Sequence, residues 1–312
     1  MCVAQFTMTR TRSAAKRQKI ATVESALANI DVLSQLAAFL EANDLCQVKA
    51  MCRALGSAND GAAFNGLSMT EEAARRVFES AASDEEKAVL PRYDGEGWIE
   101  LYHHLLMLRA RLTFDQLVGR YAAYRGGDAA SVQGMIINGL YDDSQAICGN
   151  HIMRAGKHWT TFKSSSSFKW NQSVGVIRPL PGWDKRGLDS FTPTSPEFHE
   201  DLQHERTDRW EGDVHCCCLD MRSGNCYWSD WEGLSSKGSN WEAPDGYDRH
   251  CTSLGMLLDL DNGTLSVYQN GQRLGTLKDG LAGEYCWIAG FHVLSSGNVF
   301  IQRGYNVKFM FM

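Results

Sequence analysis

Between Leu254 and Leu277 apolar and polar positions alternate with a period of two, interrupted by two Asn-Gly pairs. Leu258 and Leu260 alternate with Asp259 and Asp261, and Leu265 and Val267 with Ser266 and Tyr268. Side chains along a strand point to opposite faces in turn, so each run has one apolar and one wetter face. Asn262-Gly263 and Asn270-Gly271 suit the positive φ angles of type I′ turns. The pattern predicts a three-strand antiparallel meander whose two acids face solvent or turn backbone. A meander cannot bury its apolar face alone, so a second sheet must cover it.

Nearer the N-terminus the period is helical. Leu33, Leu36, Phe39 and Leu40 form one stripe. After a break at Asn43-Asp44, Leu45, Val48, Met51, Cys52 and Leu55 form another. Compact helices are expected over 23–56, and a small polar linker over 57–67. Ser68 and Glu71 make the S-x-x-E signature of a capping box, opening a helix to about Ser80. Trp98, Leu101, Leu105, Leu108 and Leu112 share one face of an amphipathic helix over 98–112, within a helical linker region spanning 57–125. His103 and His104 are adjacent and point to different sides, which suits surface or edge packing.

After about residue 125 the character of the chain changes. Of the 29 glycines 23 lie beyond Gly119, and eight of the nine tryptophans lie beyond Trp98. Short apolar runs separated by Gly, Asn, Asp and Ser replace the helical stripes. Fold class follows: mainly β, a two-sheet antiparallel sandwich over 126–312, preceded by a small α-helical region.

Composition narrows the function classes. The net charge of −6 and pI near 5.9 disfavour a broad nucleic-acid-binding surface. No run approaches the roughly 18 apolar residues of a membrane span, and the N-terminus lacks the continuous apolar stretch of a secretory signal. Residues 1–22 carry Arg10, Arg12, Lys16, Arg17 and Lys19 before the first acid, Glu24. This reads as a disordered basic tail with a nuclear localisation signal around Lys16-Arg17-Gln18-Lys19, or alternatively an organelle transit peptide. The ten cysteines include no C-x-x-C pair, so reduced thiols of a nuclear or cytoplasmic protein are expected. Cys216-Cys217-Cys218 beside His215 does not suit a metal, because consecutive strand residues point to opposite faces.

No local motif carries chemistry. His199 and His204 stand five apart, whereas a zinc-protease helix needs an i, i+4 pair. There is no paired-carboxylate run of a sandwich glycosidase, no G-x-S-x-G elbow and no phosphate-cradling loop. The sequence therefore predicts a non-enzymatic protein without cofactor or metal.

Four pieces of the β region together resemble the SPRY (B30.2) domain. They are Gly156-Lys157-His158-Trp159, Val174-Gly175-Val176-Ile177, the meander LGMLLDLDNGTLSVYQNGQRLG, and Gly283-Glu284-Tyr285-Cys286-Trp287-Ile288-Ala289. Thr160 stands where that family commonly has Glu, and a long insertion separates Ile177 from Cys226. The resemblance implies a sandwich that binds peptides or protein surfaces through loops at one end. By position these loops would supply Arg178, Trp183, Asp184 and Lys185, then Tyr247, Asp248 and Arg249, and finally His292 through Asn298. Trp, Tyr and Arg on loops are common anchors of binding hot spots; packing of Trp183 and Tyr247 beneath a long loop is the alternative.

LAAFLEANDLCQVKAMCRAL, residues 36–55, is similar to the F-box through Leu40, Asp44, Leu45, Val48, Cys52 and Arg53. It lacks the opening Leu-Pro and the late Trp of that motif. The resemblance implies docking on Skp1 of a cullin ubiquitin ligase through Leu33, Leu40, Leu45 and Val48. The expected function is a substrate adaptor, or alternatively a scaffold with no ligase link. The faces of these four residues decide between them: exposure favours the adaptor, and burial against the chain's own helices weakens it.

Overall fold

The computed structural model describes residues 29–51, 55, 66–137, 142–164, 172–231, 237–238, 241, 247–248, 251–292 and 297–303. The basic tail, the F-box positions Cys52 and Arg53, and the loop residue Arg249 lie outside the described residues. Two compact units emerge, Met1–Lys87 with Arg92–Leu108, and Ala88–Pro91 with Arg109–Met312.

The first unit is helical. Its elements are α1 (Ile30–Ala37), α2 (Ala42–Met51), α3 (Met69–Ala81) and α5 (Trp98–Arg109), with α4 (Asp84–Val89) between the last two. Asn29 caps α1 by accepting from the Asp31 N–H at 2.9 Å. The predicted cap of α3 is present, with Ser68 Oγ accepting from the Glu71 N–H at 3.3 Å. Glu71 does not complete the box. Its carboxylate accepts from the Trp98 and Ile99 N–H groups at 2.6 and 3.2 Å, capping α5 instead, and pairs with Lys49 Nζ at 2.8 Å. One side chain thereby ties α2, α3 and α5 together.

Leu33, Leu45, Ala73, Phe78, Leu101 and Leu105 fill this unit's core. The helix predicted over 98–112 ends at Arg109, and its buried set is Ile99, Leu101, Tyr102, His104 and Leu105. His104 is thus buried and not at the surface, its Nε2 lying 4.0 Å from the fully buried Glu96 carboxylate. Leu112, past the helix end, belongs to the core of the second unit.

The second unit is a sandwich of two seven-stranded sheets. One sheet has the order β1 (Gln116–Val118), β4 (Ser144–Ile147), β13 (Cys286–Phe291), β6 (Gln172–Ile177), β7 (Val214–Asp220), β8 (Cys226–Asp230), β9 (Lys237–Gly238). The other runs β12 (Gln272–Lys278), β11 (Thr264–Gln269), β10 (Ser253–Asp259), β5 (Lys157–Lys163), β14 (Asn298–Arg303), β3 (Asp128–Gly134), β2 (Ala122–Arg125). Strand pairing is antiparallel throughout. Val174, Val176, Cys217, Leu219 and Trp287 of the first sheet meet Phe162, Met256, Leu258, Val267 and Ile301 of the second in one core. Strands begin at Gln116, ahead of the predicted start at 126. The early strands read QLV, AAYR and DAASVQG, too short and too poor in β-branched alternation to announce themselves.

The predicted meander is β10-β11-β12, with Met256 opposite Val267 and Leu258 opposite Leu265. Asn270 (φ 51°) and Gly271 (φ 75°) form the expected tight turn. The first turn differs: it spans four residues, Leu260 to Gly263, and only Gly263 among them has positive φ, at 64°. Asp259 stabilises it by accepting from the Asn262 N–H at 3.1 Å and its side-chain amide at 2.9 Å. Asp261 accepts from the Gly156 N–H at 3.0 Å. Both acids therefore serve turn backbone.

The insertion after Ile177 packs on the outer face of the first sheet. Its 3-10 turns Trp183–Lys185 and Pro196–Phe198 and helix α6 (His199–His204) bring Leu180, Trp183, Phe191, Phe198, Leu202 and Trp210 against Ile147, Ile177, Cys216, Cys218 and Ile288. Both faces of β7 are consequently buried. Cys217 points inward to within 3.6 Å of Cys226 Sγ, while Cys216 and Cys218 point outward, 3.6 Å apart. The eight cysteines of the described residues are free thiols.

Candidate functional site

Part of that outer sheet face stays open. Where the insertion passes Thr192-Pro193-Thr194, a cleft of about 300 Å³ remains. Gln145 of β4, Ser173 of β6, Cys216, Cys218 and Asp220 of β7, and Tyr227 of β8 line it, with His292 just past β13. The period of two puts these side chains on the outer face while their neighbours Val174, Cys217 and Leu219 fill the inner core.

Three polar residues converge at one end. Ser173 pairs in register with Gly290 on β13, and Gly290 pairs with Gln145 on β4. This brings Ser173 Oγ to 2.9 Å from His292 Nε2, and His292 Nδ1 to 3.4 Å from Asp143 Oδ1. Thr192 Oγ1 donates to the other carboxylate oxygen of Asp143 at 2.6 Å. The Nδ1–H tautomer of His292 suits the carboxylate and leaves the Nε2 lone pair facing the serine hydroxyl. A Cβ on residue 290 would collide with both Ser173 Oγ and the Gln145 carboxamide, so glycine there leaves room for both side chains. Hydrogen bonding to Cys218 and burial push the Cys216 thiol well above its ordinary pKa, so it lines the cleft as a neutral group.

Among the described residues of the predicted loops, His292 alone lines this cleft. Asp184, Lys185 and Asp248 are exposed. Tyr247 is half-buried, its hydroxyl donating to the Met221 carbonyl at 2.8 Å. Asn298 is buried at the start of β14. Arg178 and Trp183 require correction, being 1% exposed each and unable to meet a partner. The Trp183 ring packs 5.0 Å from Phe191 under the insertion, with its indole N–H on Glu205 at 3.2 Å. The Arg178 guanidinium donates to the carbonyls of Val214, Ala282, Glu284 and Glu211, binding the insertion to the strand ends.

In the helical unit the predicted docking residues are also largely internal. Leu33 and Leu45 are fully buried, and Leu40 and Val48 half-buried. A different stripe faces outward: Val32, Leu36 and Phe39, the last 90% exposed. As a metal-ligand set, Glu96, Glu100 and His104 bring their ligand atoms within 4.8 Å of one another. Glu96 is also engaged with the Tyr93 N–H at 3.1 Å. Among the described residues no helix is long and apolar enough to cross a membrane.

Sequence reasoning missed Ser173 and Asp143. The only signal for either was the strand V-G-V that follows Ser173, which marks an element and not a site.

No family model matches the chain, and no curated protein matches it. Among solved structures it is similar to the SPRY domain of human HERC1, at 11% identity and a TM-score of 0.39, covering 64% of this chain and 98% of that one. It is similar to the TRIM65 PSpry domain, at 16% identity and a TM-score of 0.38, covering 64% and 95%. A further human SPRY domain is similar at 13% identity and a TM-score of 0.36, covering 60% and 98%. The two-sheet architecture is read from strand order and register.

Proposed function

We propose that the sandwich is a protein-recognition module that takes a short polypeptide segment into the cleft beside Thr192-Pro193-Thr194. The observation that carries this is the cleft's make-up. Tyr227, 39% exposed, lines the cleft together with the Cys216 and Cys218 side chains, with Gln145, Ser173 and His292 as polar groups. Apolar lining with a few convergent polar groups is the usual form of a specific binding site. The motif resemblance to SPRY domains supports the same reading, as does the location in the nucleus or cytoplasm expected from free thiols. Selection of a displayed peptide library on the full chain tests it. Selected peptides are expected to lose at least tenfold in affinity on Tyr227→Ala and on Thr194→Arg. Binding indifferent to both changes places recognition elsewhere.

A ligase-adaptor role is a second reading. It is supported by the short F-box likeness and by the exposed Val32-Leu36-Phe39 stripe, at i, i+4, i+7 on and just beyond α1. Burial of Leu33 and Leu45 weighs against the docking surface first expected. Retention of Skp1 by the full chain, lost on Phe39→Asp with folding intact, is the supporting result. No retention, or retention unchanged by Phe39→Asp, leaves the sandwich as a module without a ligase link.

A further inference from the structure

The geometry assigns Ser173, His292 and Asp143 a chemical role that goes beyond recognition: a nucleophile, general base and orienting carboxylate for acyl transfer from a carboxylic ester. Three independent features of the arrangement support it.

The first is order of contact. Serine hydroxyl touches imidazole Nε2 at 2.9 Å, and imidazole Nδ1 faces carboxylate at 3.4 Å. A hydroxyl is a weak nucleophile unless a base accepts its proton as it attacks, and the base needs its own partner to fix tautomer and ring orientation. The second is support behind the triad. Thr192 holds the far oxygen of Asp143 at 2.6 Å, so the carboxylate that orients His292 is itself oriented. The third is location. Ser173 and His292 open onto a concave space large enough for a small acyl group, instead of lying on flat surface or sealed in the core.

The reaction balances within these groups. Ser173 Oγ bonds to the ester carbonyl carbon as its proton passes to His292 Nε2, and the carbonyl π electrons move onto oxygen. The amide of Gln145, which lines the same cleft, is the donor assigned to the developing oxyanion. That amide gives one N–H to the Phe191 carbonyl at 3.2 Å and carries a second. Collapse breaks the bond to the alcohol, which leaves with the proton from His292. Water then adds to the acyl-serine by the same path, His292 taking its proton and returning one to Ser173 Oγ, and the free acid departs. Asp220 lines the same cleft and pairs in register with Ser173 on the neighbouring strand, so esters of neutral or cationic alcohols suit it better than anionic ones.

The test uses the full chain, a fluorophosphonate probe with mass-spectrometric mapping, and hydrolysis of p-nitrophenyl acetate and butyrate. Expected are a single stoichiometric adduct on Ser173, none with Ser173→Ala, and labelling and hydrolysis at least about 100-fold slower with His292→Gln. Asp143→Asn, checked for an unchanged melting temperature, should also slow both, and serves if His292→Gln misfolds. Absence of an adduct on Ser173, or labelling whose rate His292→Gln and Asp143→Asn leave unchanged, overturns the assignment. The two readings fail separately, because adduct formation and ester hydrolysis are read without any peptide, and peptide affinity is read on Tyr227→Ala and Thr194→Arg without any ester.

Discussion

The guanidinium of Arg178 lies 4.0 Å over the ring of Tyr285, whose own hydroxyl donates to the Val214 carbonyl at 2.7 Å. Val214 also receives the Arg178 Nε–H, at 3.1 Å. Insertion, β7 and the start of β13 are thereby locked at one point. Burial lowers the pKa of Arg178 from its usual value, the cost of placing this cation among carbonyls and an aromatic face.

Arg178→Lys should therefore be far from conservative. Lysine has three donors on a flexible stem and cannot span carbonyls fixed around a planar fork. Leaving buried carbonyls unpaired costs roughly 1–3 kcal/mol each, so a loss on the order of 3 kcal/mol or more is expected in urea unfolding. Peptide affinity of the protein that remains folded should not change. Loss of affinity at full stability would restore Arg178 as a contact residue.

Acid should destabilise the sandwich in a defined window. Burial lowers His158 to about 4 and His215 to about 3, from 6.5. Each is neutral when folded, and the unfolded chain binds the extra proton first. Stability is therefore full above about pH 6.5 and falls as pH drops toward 4 and 3. For His158 alone the linkage amounts to about 3 kcal/mol. Melting temperature against pH should show the fall, and His158→Gln should flatten part of it. A profile unaltered by His158→Gln and His215→Gln would falsify the buried-neutral assignment.

What the sequence made legible was what repeats locally. Period-two alternation between Leu254 and Leu277, with Asn-Gly at the turns, fixes β10 to β12 because register follows side-chain alternation. The cleft was not legible in the same way. Ser173 and His292 are 119 residues apart, and Asp143 precedes both; only the order β4-β13-β6 brings their strand ends together. Arg178 and Trp183 looked like surface anchors because the SPRY resemblance placed them, by position, on a loop after Val-Gly-Val, and Trp and Arg on loops are common anchors. Composition does not say which way a side chain points, and here the insertion closes over an apolar sheet face and carries both inward.

Gly175 supplies a sharper test of the sheet than any loop residue. A Cβ there would land inside the van der Waals envelope of the Cys217 carbonyl on the neighbouring strand β7. Backbone cannot yield as a flexible side chain can, so β6 and β7 would have to part. Gly175→Ala should cost more than the roughly 1–3 kcal/mol of ordinary overpacking, read as a lowered urea midpoint. Gly290→Ala is the contrasting case: its clashes are with the Ser173 and Gln145 side chains. It should cost less stability and displace Ser173 from His292.

Glu71 offers the corresponding test in the helical unit. Its carboxylate accepts from two N–H groups at the start of α5, and it reaches Lys49 on α2 as well. Glu71→Gln keeps the size but removes the charge that favours a helix N-terminus, and should cost about 1 kcal/mol. Glu71→Ala removes the acceptor too and should cost about 2 kcal/mol. The Ser68 cap stays intact in both, so the loss should appear as faster amide exchange at the start of α5 and not at the start of α3. Equal fraying of both helices would mean that Glu71 acts as a member of the local capping box after all.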